Sequence, residues 1–107
     1  MKISCFTAML RKLELEQIFP ALAKAGYEGI EIMGDGSHLP PTAGMKRAEE
    51  IKKMSEKYKM PIVSIAAYSG RYAGADKEHI VKQLKELEHH CKMANLFGCN
   101  MVRHAPG

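Results

Sequence analysis

The sequence predicts an α/β fold of four parallel strands and three helices, alternating from one end of the chain to the other. Three observations lead there. Short apolar-rich runs alternate with longer segments whose apolar residues recur every three or four positions. No hairpin signal joins one strand directly to the next. One phrase also recurs, a helix, then glycine or a turn, then a buried strand. It is seen in Ala25-Gly26-Tyr27-Glu28-Gly29-Ile30-Glu31-Ile32 and in Phe97-Gly98-Cys99-Asn100-Met101-Val102-Arg103. Units of about 30 residues match a βαβ repeat.

The elements follow in order. Ile3 to Thr7 is the first strand, and Met9 to Lys12 a basic loop. Leu15, Ile18, Phe19, Leu22 and Ala25 form one face of a helix that contains Pro20 and stops at Gly26. Gly29 to Met33 is the second strand, and Gly34 to Pro41 a loop dense in turn residues. The second helix runs from Ala43 to Tyr58, with Ala48, Ile51, Ser55 and Tyr58 inward. Pro61 to Ala67 is nearly all apolar or small, as suits a strand covered on both faces. Tyr68 to Asp76 reads as a loop. The third helix places Ile80, Leu84, Leu87, Cys91 and Ala94 on one face and ends at Gly98. Asn100 to His104 is the fourth strand, running into a loop at Ala105-Pro106-Gly107.

Bulk properties exclude several classes. At 107 residues the chain is one domain or part of one. Its 16 basic and 12 acidic residues leave a net charge of +4. They are interspersed along the helices, which reads as solvated surface, so nucleic acid is not an expected partner. No apolar run is long enough to span a membrane, and the start lacks a signal peptide's apolar core, so the expected location is the cytoplasm. Cys5, Cys91 and Cys99 read as free thiols. The eight methionines read as core filler. His79, His89 and His90 read as a solvated face of the third helix.

Periodicity does not separate a barrel segment from a small doubly wound sheet. The absence of a GxGxxG after the first strand disfavours a dinucleotide-binding sheet. Longer phrases go further. Leu15-Glu16-Gln17-Ile18, Ala23-Lys24-Ala25-Gly26-Tyr27-Glu28-Gly29-Ile30-Glu31-Ile32, Lys57-Tyr58-Lys59-Met60-Pro61-Ile62-Val63-Ser64 and Ala94-Asn95-Leu96-Phe97-Gly98-Cys99 are spread along the chain. Together they resemble the opening of the sugar phosphate isomerase/epimerase family with the xylose isomerase-like TIM barrel.

The resemblance implies that residues 1–107 are the N-terminal part of a (β/α)8 barrel, which needs about 250 residues when complete. It implies a metal-dependent isomerase or epimerase of small sugars or sugar phosphates. A divalent ion (manganese, magnesium, cobalt or zinc) would sit at the carboxyl end of the barrel, and carboxylates would move a proton beside a sugar carbonyl. The family's principal metal ligands lie on later strands that this chain does not contain, so the chain alone is expected to be inactive. One alternative is an incompetent fragment that self-associates through exposed strand edges into a homo-oligomer. Another is a dehydratase or an apurinic-site endonuclease-like member.

Parallel α/β units place chemistry beyond the carboxyl ends of their strands, which selects the candidates. Glu31 lies mid-strand, where a buried carboxylate needs a partner; it either shapes a polar site or serves structure alone. His38 is a candidate for a sugar hydroxyl, against an exposed loop histidine. Tyr68 is a candidate for stacking on a sugar face. Arg71 is a candidate for holding an anion by a forked pair of bonds, against a mobile surface arginine. Arg103 and His104 are neighbours on one strand and point to opposite faces. Arg103 is a substrate candidate, and His104 the candidate metal ligand.

Overall fold

The computed structural model describes residues 2–105. Met1, Pro106 and Gly107 lie outside the described residues. The strands are β1 (Ser4–Phe6), β2 (Gly29–Gly34), β3 (Ile62–Gly70) and β4 (Val102–Ala105). They pair in parallel, in the order β1-β2-β3-β4. The helices are α1 (Leu15–Ala25), α2 (Met45–Lys57) and α3 (Lys77–Phe97). A 3₁₀ turn at Thr7–Leu10 follows β1 where the sequence predicts the start of a loop.

One hydrophobic cluster lies between the sheet and the helices. Ile30, Ile32, Ile62 and Ile65 meet Leu15, Ile18, Phe19 and Leu22 of α1, Ala48 and Ile51 of α2, and Met93 and Ala94 of α3. Each fully buried Ile, Leu or Phe contributes about 1.5–3 kcal/mol before the entropy of ordering the chain is subtracted. Strand alternation turns the intervening residues to the opposite, open face. A Cβ on Gly29 would lie 3.3 Å from the Ser4 Cβ and 2.9 Å from Val63 Cγ1, so these three share that face. Phe6 and Glu31 follow two positions on from Ser4 and Gly29 and are paired in register. Val63 is the extra residue of a bulge between the Ile30–Ile62 and Glu31–Ser64 pairs.

Local chemistry sets the helix ends. In α1, Glu14 and Gln17 form a reciprocal capping box, and Gly26 closes the helix in the left-handed region at φ 88°. Pro20 sits inside α1 without ending it. Asp76 caps α3 by accepting the His79 backbone N–H at 2.8 Å, and Gly98 ends the helix at φ 72°.

Two expectations need correction. β3 continues to Gly70, so Tyr68 and Ser69 are strand residues, not loop. The extension is held because Gly70 pairs with Ala105 and donates its N–H to Gln83 Oε1 at 2.9 Å. The inward face of α3 is also rotated from the expected stripe. Cys91 is exposed and Leu84 is 50% exposed, whereas His90, Met93 and Ala94 are buried. The histidine face expected to be solvated therefore contains the buried His90, because the loop beneath it carries carbonyls that need donors.

Candidate functional site

The open face of the sheet carries an ion pair between strands that are not neighbours. Arg103 on β4 approaches Glu31 on β2, Nε to Oε2 at 3.3 Å and Nη2 to Oε1 at 3.4 Å. Its guanidinium carbon lies 4.6 Å from the centre of the Phe6 ring on β1, within reach of a cation–π contact. Three strands thus present one cluster. The Arg103 side chain is 55% exposed and that of Glu31 20%, and a pair with one partner open to solvent contributes roughly 1 kcal/mol or less to stability. Its worth is geometric. It aligns a planar fork of donors across the sheet, with edges free for another ligand.

His104, one residue on, faces away from this cluster. Its Nδ1 lies 3.4 Å from Ser69 Oγ, and its ring is tilted 44° to that of Tyr72 at 5.6 Å. The family resemblance implies a divalent metal, and the side chains here do not fit one. Among the described residues no group of three or more His, Cys, Asp or Glu is placed to hold a metal ion together, and a divalent ion needs several ligands at once.

A cleft of about 410 Å³ opens beyond the carboxyl ends of β2 and β3, walled by Asp35, Tyr68, Arg71, Gln83, Glu86 and His90 among others. Tyr68 is 50% exposed. Arg71 lines the cleft with φ 62°, in the left-handed region that residues other than glycine seldom adopt. The adjoining Gly70 is clasped by α3 on both sides. Its N–H donates to Gln83, and its carbonyl accepts from His79 Nε2 at 3.2 Å.

His38 is not part of this cleft and is fully buried. Its Nε2 donates to the Leu13 carbonyl at 2.8 Å. In the tautomer with the proton on Nε2, Nδ1 accepts and Thr7 Oγ1 donates to it at 2.9 Å. The same Thr7 oxygen accepts the Met33 N–H at 2.8 Å. The ring nitrogens of this candidate sugar contact are thus engaged within the protein. Two histidines of α3 hold the same loop. His89 Nε2 donates to the Ala43 carbonyl at 2.6 Å, and His90 Nε2 to that of Leu39 at 3.0 Å. Burial pushes the His90 ring below its ordinary pKa, opposed by its bond to Leu39. The sequence reads His89 and His90 as solvated, where the structure ties both to loop carbonyls, and it does not single out Thr7. For Thr7 the only signal was a small polar residue at a strand end.

The sequence profile of the xylose isomerase-like TIM barrel matches residues 19–107. Fructoselysine 3-epimerase of Escherichia coli O157:H7 is 32% identical over 73 residues, covering 67% of this chain and 26% of the epimerase. The Shigella flexneri enzyme of the same name gives the same figures. The chain thus spans 26% of the length of these curated relatives. Among solved structures, the probable 3-DHS dehydratase AsbF of Bacillus anthracis, involved in petrobactin synthesis, superposes with a TM-score of 0.73 at 26% identity, over 100% of this chain and 39% of that one. The 3-keto-D-glucoside 4-epimerase YcjR of E. coli has a TM-score of 0.63 at 21% identity, over 78% of this chain and 30% of that one, and bears on the fold alone. Sequential parallel strands, helices packed on one face, and a profile match over most of the chain lead to one conclusion: this chain belongs to the xylose isomerase-like TIM-barrel family.

Proposed function

We propose that this chain supplies the N-terminal, substrate-positioning part of a barrel that isomerises or epimerises a small sugar or sugar phosphate. The observation that carries the reading is Arg103, which spans the open face between Glu31 and the Phe6 ring. Its remaining N–H donors are suited to the oxygens of a sugar carbonyl, hydroxyl or phosphate. Glu31 holds the fork in orientation and can accept a sugar hydroxyl with its remaining lone pairs. Tyr68 offers an aromatic face at the rim. A carboxylate that removes the proton beside the carbonyl is not assigned among these residues. The described residues hold no site for the divalent ion implied for a complete barrel.

A dehydratase is the second reading, favoured by the neighbour that covers the whole chain. The two share proton removal beside a carbonyl and differ in what leaves. An epimerase exchanges that hydrogen with solvent deuterium and returns a sugar. A dehydratase releases water and leaves a conjugated product that absorbs in the ultraviolet.

The test is a nuclear magnetic resonance titration of the 107-residue chain with ketoses and sugar phosphates. Signals of Phe6, Glu31 and Arg103 should move together, and the Glu31→Gln and Arg103→Gln variants should lose the response while keeping the fold. Sugar-induced shifts that spare those residues, or that survive both substitutions, would remove the basis for the reading.

A further inference from the structure

Among the described residues, β1 and β4 each pair with one strand only, so both outer edges of the sheet present unpaired backbone groups. Such edges are templates for further pairing. Exposed apolar side chains follow the same two edges. Val102 pairs with Ile65 and packs against the core, so its neighbour Met101 points to the open face, where it and Val63 are exposed. Ile3 and Met9, on either side of β1, are exposed as well. On α3, His89 turns to the Ala43 carbonyl ahead of α2, and the exposed Leu84 and Cys91 lie on the opposite flank of the helix.

The chain exposes 6782 Å² of surface. A compact monomer of 107 residues exposes about 6,000 Å². The excess, about 800 Å², matches one partner's share of a stable protein–protein interface. The radius of gyration, 14.1 Å, also exceeds the roughly 13 Å of a compact domain of this length.

A foreign strand laid on one edge would leave the other edge open. A second copy of this chain satisfies both. With a two-fold axis running along the strands, β4 of each copy lies parallel to β1 of the other, and the same seam forms twice. Two four-stranded sheets then make eight strands, about the number at which side chains just fill a closed barrel. Each copy brings one Arg103–Glu31 pair to the open face, so the enclosed pairs add no net charge.

We propose that two copies of this chain associate edge to edge, β4 of one on β1 of the other, into a closed, two-fold symmetric, eight-stranded barrel. The inference does not rest on the sugar reading. It names what covers the open face, and it places Phe6, Glu31 and Arg103 of both copies around one interior.

The experiment is sedimentation equilibrium of the 107-residue chain between about 1 and 100 μM. The expected species is a dimer of twice 11.9 kDa, with a dissociation constant on the order of 1 μM. Met101→Glu and Leu84→Gln, both at exposed positions of the monomer, should each weaken it about tenfold or more without changing the far-ultraviolet spectrum. Lys53→Gln, on the solvent side of α2, should leave the dimer unchanged. In a mixture of isotope-labelled and unlabelled chains, intermolecular nuclear Overhauser contacts should join β1 of one copy to β4 of the other. A chain that stays monomeric at about 100 μM, a dimer indifferent to both seam substitutions, intermolecular contacts between other elements, or open polymers larger than a dimer would overturn the proposal. A dimer in which sugars fail to move Glu31 and Arg103 would count against the sugar reading alone.

Discussion

Replacing Thr7 by valine removes an oxygen on which two buried groups depend. Thr7 Oγ1 accepts the Met33 N–H at 2.8 Å and donates to His38 Nδ1 at 2.9 Å. His38 is committed by its 2.8 Å bond to the Leu13 carbonyl, so it does not recover by changing tautomer without losing that bond. Thr7 and His38 are both fully buried, and water does not replace the missing partner. Valine nearly preserves the volume, so no large cavity term enters. Each orphaned buried group costs about 1–3 kcal/mol, for a total near 4 kcal/mol. Against a stability of about 5–15 kcal/mol this is severe, and it corresponds to a drop in Tm of roughly 15–30 °C for a chain of this size. Thr7→Ser keeps the oxygen, loses one methyl, and should cost about 1 kcal/mol. Urea denaturation followed by circular dichroism measures both variants. A valine variant within about 1 kcal/mol of the parent, or a serine variant as damaged as the valine one, would show that the oxygen does not hold this corner.

Further predictions concern Gly34, pH and the ion pair. Gly34→Ala should cost about 3 kcal/mol, because its Cβ would lie 2.6 Å from the Ala66 carbonyl oxygen and 3.1 Å from the His90 ring. Gly74→Ala, with open space around it but φ +72°, should cost only about 1–2 kcal/mol in thermal unfolding. Burial lowers the His90 pKa below its ordinary 6.5, so the unfolded chain takes up a proton that the folded chain resists. Stability from this group is fully present above about 6.5 and falls as pH drops through it. Denaturation at a series of pH values should show that slope, and His90→Gln should flatten it. The Arg47 hydrogen bond lowers the Glu16 pKa below its ordinary 4.5, so its smaller contribution is lost only on further acidification, and Glu16→Gln should remove that second phase. Glu31→Gln should change stability by less than about 1 kcal/mol, since the pair is open to solvent, while abolishing the sugar-induced shift at Arg103. Equal losses of stability and of binding would point to a structural role for Glu31.

Much of the scaffold was legible because it is periodic. Leu15, Ile18, Phe19 and Leu22 announced α1, and Gly26 and Gly98 announced helix ends where left-handed backbone is needed. Arg103 and His104 were expected on opposite faces, and the structure places one against Phe6 and the other against Tyr72. The errors arose where a side chain answers a distant backbone group. Leu84 and Cys91 suggested an inward stripe on α3 that the packing did not use. His89 and His90 looked like solvated neighbours until the carbonyls of Ala43 and Leu39 were seen beneath them.

The sequence by itself determined the parallel alternation of strand and helix, because apolar spacing and glycine positions are local properties of the chain. It also marked Glu31 as a mid-strand carboxylate that needed a partner. Only the tertiary structure decided that the partner is Arg103, 72 residues away and two strands across, over the Phe6 ring. The same holds for Asp35 at the end of β2, Arg71 at the end of β3, and Glu86 and His90 on α3, which share one cleft. Charges and hydrogen-bonding groups act through distance in space, and sheet register, not position along the chain, sets that distance.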